Sequence, residues 1–268
     1  MFVPLGAQVT EDFESFSDGA FTTTGDWTIN DGDADQGSRT AEILNTGLDF
    51  SNSAFNINGG SRSLELNLEG TGETDDPAND FAVFDFSSTS INGSDGDVVE
   101  FQYLFNKDST NSFTNIGVGG DVSAARPSRT SSAGFVAAVT GGINENRARI
   151  WDGSQDATNI DIADFNDGTT HLVAGEITLN AGGDETFDLW VDPTSTNLST
   201  LTPTASVTAD METTSFEALG FFANENGNGT LTVDQFQAQV VPEPSTYASI
   251  MGVFALVGIS ALRMRRTA

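Results

Sequence analysis

The feature that most constrains this chain is a period-two alternation of apolar and polar residues between about residues 9 and 240. Residues 64–69 have the sequence Leu-Glu-Leu-Asn-Leu-Glu, and residues 99–105 alternate in a similar way. Such alternation is typical of strands that bury one face. Turn sequences such as Asp95-Gly96 separate these segments and favour hairpins. Because no window before the C-terminal tail shows sustained helical periodicity, the sequence predicts an all-β sandwich of about a dozen short strands.

The composition is strongly acidic and excludes several classes of partner. The chain has 39 Asp and Glu residues against 10 Lys and Arg, a formal net charge of −29. Such a surface repels nucleic acid and anionic lipid, so no nucleic-acid partner is expected. Cysteine is absent, which excludes disulfides, thiolate nucleophiles and Cys-ligated metals. Phenylalanine, with 20 residues against 2 Tyr, is expected to supply much of the core.

Three stretches favour a particular sandwich. Residues 171–193 predict a hairpin around Gly182-Gly183, residues 11–27 open the pattern, and residues 229–236 close it. These stretches resemble the back-sheet hairpin, the first strand with its turn, and the last strand of concanavalin-A-like (laminin-G-like) jelly rolls. The resemblance implies a jelly-roll β-sandwich over residues 9–240 whose first and last strands are neighbours. That family includes binding modules, adhesion domains and glycosidases, so the fold alone does not select a function.

Residues 241–268 differ in character from the rest of the chain. The Pro-Glu-Pro sequence at 242–244 continues neither a strand nor a helix and forms a stiff spacer. The uncharged run at 247–262 follows, and as a helix it reaches about 24 Å. That length is short of a hydrocarbon core of about 30 Å. An arginine cluster at 263–266 then predicts a stop to transfer with the C-terminus in the cytoplasm.

This order of spacer, short apolar helix and basic tail resembles the PEP-CTERM sorting signal of exported proteins of Gram-negative bacteria. The resemblance implies an exosortase partner, a membrane-embedded enzyme similar to cysteine transpeptidases, that cuts near the spacer. The protein would then lie transiently in the inner membrane before joining the cell envelope, surface or extracellular matrix. The alternative is an ordinary C-terminal anchor. The residues assigned to recognition are Pro242, Glu243 and Pro244, and those assigned to the membrane stop are Arg263, Arg265 and Arg266.

The first residues bear on export as well. Residues 1–8 resemble the end of a signal peptide, with the small residues Gly6 and Ala7 before Gln8. This predicts that the gene continues in frame upstream of Met1 into a basic and apolar segment. The alternative is a chain that begins at Met1 and is not exported.

Candidate catalytic residues are few. Glu65 and Glu69, with Asn67 between them, share one strand face. This resembles the Glu-x-Asp-x-Glu strand of jelly-roll β-glucanases, in which one carboxylate attacks and the other protonates. The sequence departs from that family at Asn67, and alternation alone also produces the pattern. His171, the single histidine, is expected to have a structural role.

An acidic loop is the candidate metal site. Asp31, Asp33 and Asp35 place carboxylates at every second residue, and Glu42 follows where an EF-hand-like loop has its bidentate ligand. These four residues are the best candidates for calcium ligands in the chain. Gln36 stands where such a loop needs glycine, and in a chain this acidic a solvated loop is favoured over a metal site.

Two functions therefore follow from the sequence. The first is an exported surface or matrix protein whose β-sandwich binds polysaccharide or has a structural or adhesive role. The second is a secreted jelly-roll glycosidase or polysaccharide lyase. The lack of a catalytic motif favours the first.

Overall fold

The computed structural model describes residues 8–30, 41–67, 80–86, 91–108, 114–119, 135–142, 145–151, 157–162, 168–180, 182–211, 215–223 and 230–241. These residues form twenty β-strands and a 3-10 turn at Leu198–Thr200. The strands are β1 (Gln8–Glu11), β2 (Gly19–Ala20), β3 (Trp27–Asn30), β4 (Ala41–Leu44), β5 (Phe50–Ser51), β6 (Asn56–Ile57), β7 (Ser63–Asn67), β8 (Asp80–Asp85), β9 (Ile91–Asn92), β10 (Val98–Asp108), β11 (Thr114–Gly119), β12 (Phe135–Gly142), β13 (Glu145–Trp151), β14 (Ala157–Ile162), β15 (Thr170–Thr178), β16 (Glu185–Val191), β17 (Ala205–Ala209), β18 (Ser215–Phe216), β19 (Ala218–Ala223) and β20 (Thr230–Val241).

Sixteen of these strands form two antiparallel sheets. The larger sheet has nine strands in the order β17-β16-β15-β10-β20-β7-β4-β2, with β1 also paired to β20. The smaller sheet has seven strands in the order β14-β13-β12-β11-β19-β8-β3. Apolar side chains of both sheets join one buried cluster, which includes Phe101 from β10 and Phe221 from β19. The predicted all-β sandwich is confirmed over the described residues.

The longest strand, β20, connects both ends of the described chain. It pairs with β10 along one side, and on its other side it pairs first with β7 and then with β1. The register places Gln8 opposite Gln239, so the first and last strands are neighbours, as the sequence predicted. The point along β20 at which its partner changes from β7 to β1 coincides with a bulge near Gln235, whose φ is 52°. A bulge accommodates this change of partner because it interrupts the regular ladder.

The predicted hairpin is also present. β15 and β16 pair antiparallel from Val173↔Val191 to Thr178↔Thr186, and Gly182 in the connection has a φ of 80°. The opening segment differs from the first strand that was predicted within residues 11–27. β1 already ends at Glu11, and Phe13 lies in a turn with a φ of 59°. Phe13 is fully buried in this turn. Burial of the ring therefore favours a backbone conformation that alternation did not predict.

Phenylalanine fills the core as expected. The ring of Trp27 on β3 stacks on Phe84 at 5.1 Å and on Phe221 at 6.0 Å. Phe86, directly after β8, stacks on Phe236 from β20 at 6.2 Å, and this contact joins the two sheets. Aromatic contacts of this kind add about 0.5–1.5 kcal/mol each to the burial itself.

The outer face of the nine-stranded sheet is divided into two parts. Leu104 and Leu172 lie on this face, directly opposite each other, and pack with Phe50 in a second apolar cluster. The segment that carries β5 and β6 covers that cluster. Toward the other end of β10, the outward side chains are polar. This uncovered part of the sheet contains the candidate site.

Candidate functional site

Alternation along β10 directs polar side chains outward. Val99, Phe101 and Tyr103 belong to the core between the sheets. Because successive side chains of a strand point to opposite faces, Glu100 and Gln102 point away from the core. The same rule applies to Gln237 and Gln239 on β20, where Phe236, Ala238 and Val240 are the core residues.

These outward residues line a groove that is open to solvent and spans about 360 Å³, including open space at its mouth. Its polar wall consists of four glutamines and Glu100. Ala174 and Gly175 of β15 and Leu198 of the 3-10 turn are among its apolar lining residues. The lining residues are Gln8, Glu100, Phe101, Gln102, Ala174, Gly175, Leu198, Gln237, Ala238 and Gln239.

Hydrogen bonds between strands hold the polar wall in place. Gln239 Nε2 donates to Glu100 Oε2 at 2.8 Å, and Gln102 Nε2 donates to Gln237 Oε1 at 3.3 Å. Both bonds join β10 to β20, whose register places these residues opposite each other. A side chain that is already held by its neighbours loses less conformational entropy when a ligand binds. The groove is therefore preorganised.

A row of carboxylates extends from the groove across β15 and β16. Glu100 lies directly opposite Glu176, and Glu176 lies directly opposite Asp188. Burial, together with the smaller effect of the charges of Glu100 and Asp188, raises the pKa of Glu176 to about 7. Burial and like charges both disfavour the ionised form. Glu176 therefore carries a proton over much of the range in which free carboxyl groups are ionised.

This arrangement has two chemical capacities. The glutamine amides of the groove offer both donors and acceptors, which suit ligands rich in hydroxyl groups. A carboxyl that keeps its proton near pH 7 beside other carboxylates is also a feature of general acid catalysis. The groove and the row share Glu100, so one ligand could contact both.

The structure places Glu65, the predicted catalytic candidate, elsewhere on the same face. Glu65 of β7 lies directly opposite Glu42 of β4 and Thr232 of β20. Burial and the charge of Glu42 raise the pKa of Glu65, while hydrogen bonds with Thr230 and Thr232 lower it. Thr232 is five residues from Gln237 along β20, or about 16 Å in a strand. Glu65 therefore lies apart from the groove, and Glu69 lies outside the described residues.

The structure tests the calcium prediction only in part. Asp31, Asp33 and Asp35 lie outside the described residues. Glu42 is described, and its register partner on β7 is Glu65. Among the described residues, no three Asp, Glu or His side chains are grouped closely enough to hold a metal ion. Calcium binding by the acidic loop stays a prediction.

The sorting residues Pro242, Glu243, Pro244, Arg263, Arg265 and Arg266 also lie outside the described residues, as does the apolar run 247–262. Within the part of the chain that is described, no helix has the length and apolar character needed to span a membrane.

His171 joins the two strands of the β15–β16 hairpin. Its Nδ1 lies 2.7 Å from Asp192 Oδ2, and its Nε2 lies 3.1 Å from Thr169 Oγ1. Asp192 also accepts a hydrogen bond from the Leu172 amide through Oδ1 at 2.9 Å. The Thr169 hydroxyl, the His171 imidazole and the Asp192 carboxylate contact one another in the same order as the groups of a hydrolase catalytic triad. Here the carboxylate also fixes the backbone of the neighbouring strand, which is a structural role.

The groove and the carboxylate row were not predicted as a site. The alternation around Phe101 indicates that Glu100 and Gln102 share the polar face of their strand. Alternation likewise places Glu176 and Asp188 on the polar faces of their own strands. Alternation does not indicate which residues of distant strands lie opposite each other. Register, which only the structure gives, brings these side chains together.

Comparison with known proteins gives a limited result. No protein-family model matches the chain, and no curated protein matches it. Solved structures of similar shape include the globular domain of T. cruzi calreticulin, at 13% identity and a TM-score of 0.48 over 94% of this chain and 99% of that chain. A glycosyl hydrolase family protein from Mycobacterium fortuitum has 16% identity and a TM-score of 0.48 over 87% of this chain and 98% of that chain.

A family 16 glycosyl hydrolase from Mycobacterium smegmatis is comparable, with 15% identity and a TM-score of 0.47 over 87% of this chain and 99% of that chain. At these values, none of the likenesses assigns a role to any residue of this chain. The strand pairing, the net charge and the groove together define the class, an acidic all-β sandwich with a groove on its larger sheet.

Proposed function

We propose that this protein is an exported cell-surface or matrix component whose concanavalin-A-like jelly roll binds polysaccharide in the groove of the nine-stranded sheet. The observation that carries the proposal is the groove itself, which is lined by four glutamines and Glu100 and by apolar residues such as Leu198. Sugar rings present hydroxyl groups at their edges and C–H groups on their faces. A groove with both polar and apolar lining residues matches both.

The polar wall is suited to reversible binding of hydroxyl groups. Amides donate and accept hydrogen bonds without carrying charge, so they are desolvated at less cost than ions. A typical hydrogen bond contributes about 0.5–1.5 kcal/mol net. Several such bonds over an open groove fit a protein that attaches to a polymer at many places and with modest affinity at each.

Affinity electrophoresis with soluble polysaccharides tests the binding. Gln102→Ala combined with Gln237→Ala removes the hydrogen-bonded pair at 3.3 Å, and we expect a loss of about tenfold or more in affinity. Thr208→Ala is the control, because Thr208 is exposed on β17 and does not line the groove. Equal retardation of both variants by a polysaccharide that retards the wild type would contradict the proposed site.

The second part of the proposal concerns sorting. The resemblance at residues 241–268 supports processing by an exosortase near the Pro-Glu-Pro spacer, and β20 ends at Val241 directly before it. The test follows the mass and membrane fraction of the native product in hosts with and without the exosortase gene. Replacement of Pro242 and Pro244 by Ala should block processing and leave membrane insertion intact. Persistence of the full-length form in both hosts would refute the sorting role.

A glycosidase is the second candidate function, favoured by the raised pKa of Glu176 between Glu100 and Asp188. In this role Glu176 would protonate the glycosidic oxygen while a neighbouring carboxylate assists the attack at the anomeric carbon. Reducing-end assays on the bound polysaccharide should then show activity that falls as the pH rises through about 7 and that Glu176→Gln abolishes. Binding without release of reducing ends would exclude this role.

A further inference from the structure

The groove is continuous with a polar row that crosses six strands. Register places the members of this row opposite one another in sequence from β1 to β17. Gln8 and Ser206 at the two ends are exposed, the three carboxylates between them are partly exposed, and Gln239 is mostly buried. In order across the sheet, the row consists of Gln8, Gln239, Glu100, Glu176, Asp188 and Ser206.

The length of the row restricts the shape of a ligand that contacts all of it. Neighbouring strands lie about 4.8 Å apart, so five intervals span about 24 Å. A single sugar unit is much shorter than this distance. Only an extended chain that lies across the strands could reach from Gln8 to Ser206.

The charges of the row restrict the chemistry of the ligand. The row contains three acidic side chains, and no Lys or Arg is present in the row or among the residues that line the groove. The whole chain carries a formal charge of −29. A polymer of uronic acids would therefore be repelled both during approach and at the site. Hydroxyl groups, in contrast, can donate hydrogen bonds to carboxylates.

We propose that the ligand is an extended, uncharged polysaccharide that lies across the strands from Gln8 toward Ser206, with the groove as its main subsite. This inference rests on the proposed function and specifies its ligand. It makes two predictions that groove binding alone does not make. Affinity should increase with the length of the oligomer beyond what fills the groove, and uronate polymers should be excluded.

Titration calorimetry with glucose oligomers of increasing length, in β-1,4 and β-1,3 linkage, tests the inference. We expect the longest oligomers to bind about tenfold more tightly than the dimers. Asp188→Ala, at the far part of the row, should abolish most of this gain and leave the affinity for dimers unchanged. Glu65→Gln is the control, because it removes a carboxylate from the same face outside the row. Oligomers oxidised at C6 to uronates should bind at least tenfold more weakly than their neutral counterparts.

The outcomes separate this inference from the proposed function. Binding that is independent of length, or that is as tight for uronates as for neutral oligomers, would overturn the inference and leave the groove as a polysaccharide site. A gain with length that persists in Asp188→Ala would also overturn it. Absence of binding to every neutral and charged oligomer and polysaccharide would refute both.

Discussion

At the scale of single residues, Asp234 connects the bulge of β20 to the segment that covers part of the larger sheet. This side chain is fully buried. Its Oδ2 accepts a hydrogen bond from the Leu48 amide at 2.9 Å, and its Oδ1 accepts one from the Gln235 amide at 2.7 Å. Its pKa is raised to about 7, and burial is the main cause, while these two hydrogen bonds act in the opposite direction. The charges of Glu14 and Asp12 add to the increase.

This shift predicts a dependence of stability on pH. Because the folded protein holds the Asp234 proton more tightly than the unfolded chain, the contribution is complete below about pH 4 and is lost as the pH rises through about 7. Glu176 acts with the same sign. In urea titrations, the free energy of unfolding should therefore decrease by a few kcal/mol between about pH 5 and pH 8. General charge repulsion also contributes to this trend.

Substitutions separate the titration of Asp234 from general charge repulsion. Asp234→Asn should reduce the slope of the pH dependence, since the amide does not titrate, and should leave the part that Glu176 contributes. Asp184→Asn, a change of one exposed charge in the β15–β16 turn, should leave the slope close to that of the wild type. Equal slopes for all three proteins would refute the role of Asp234.

At the scale of elements, the covering segment depends on a close approach of its own backbone. A Cβ at Gly59 would lie 2.1 Å from the Leu48 carbonyl oxygen and 2.4 Å from Asp234 Oδ2. Gly59→Ala should therefore displace the segment, with a loss of about 1–3 kcal/mol. Hydrogen exchange should show faster exchange of the Leu48 and Gly59 amides, which bond to Asp234 and Asp49 respectively. Unchanged exchange and stability would show that the segment has room to relax.

The β15–β16 hairpin gives a second prediction at this scale. His171→Ala removes the contacts with Thr169 and Asp192 at the base of the hairpin. We expect thermal unfolding to show a loss of about 1–3 kcal/mol, because Asp192 is left without its side-chain partner. Polysaccharide binding by the folded variant should be retained, since His171 does not line the groove. A folded and fully stable variant that has lost binding would show that His171 acts on the ligand.

The same elements show how far the sequence predicts the structure. Alternation identified β7, β10 and the β15–β16 hairpin, because one buried face imposes a period of two. It did not predict the turn at Phe13, where burial of the ring outweighs the local preference of the backbone. Nor did it predict that Glu65 lies beside Glu42, since register across strands depends on the whole sheet.

At the scale of the whole molecule, the two sheets have different relations to the proposed ligand. The nine-stranded sheet buries one face against the seven-stranded sheet and presents the groove on the other. Its central strand β20 contributes Gln237 and Gln239 to the groove and ends at Val241, directly before the predicted spacer. Ligand binding and the proposed sorting signal are therefore adjacent along the chain. This adjacency fits a protein that is processed at the membrane and retained by a polymer outside it.

The central claim is that polysaccharide occupies the groove, and the side-chain amides of its glutamines report this directly. In nitrogen-15 correlation spectra, a neutral polysaccharide oligomer should shift the side-chain amide signals of Gln102, Gln237 and Gln239 progressively until the site is saturated. The signal of Asn52, which donates to the Pro193 carbonyl and does not line the groove, should not move. Saturable binding that leaves the three glutamine signals in place and shifts signals from the outer face of the seven-stranded sheet would contradict the account.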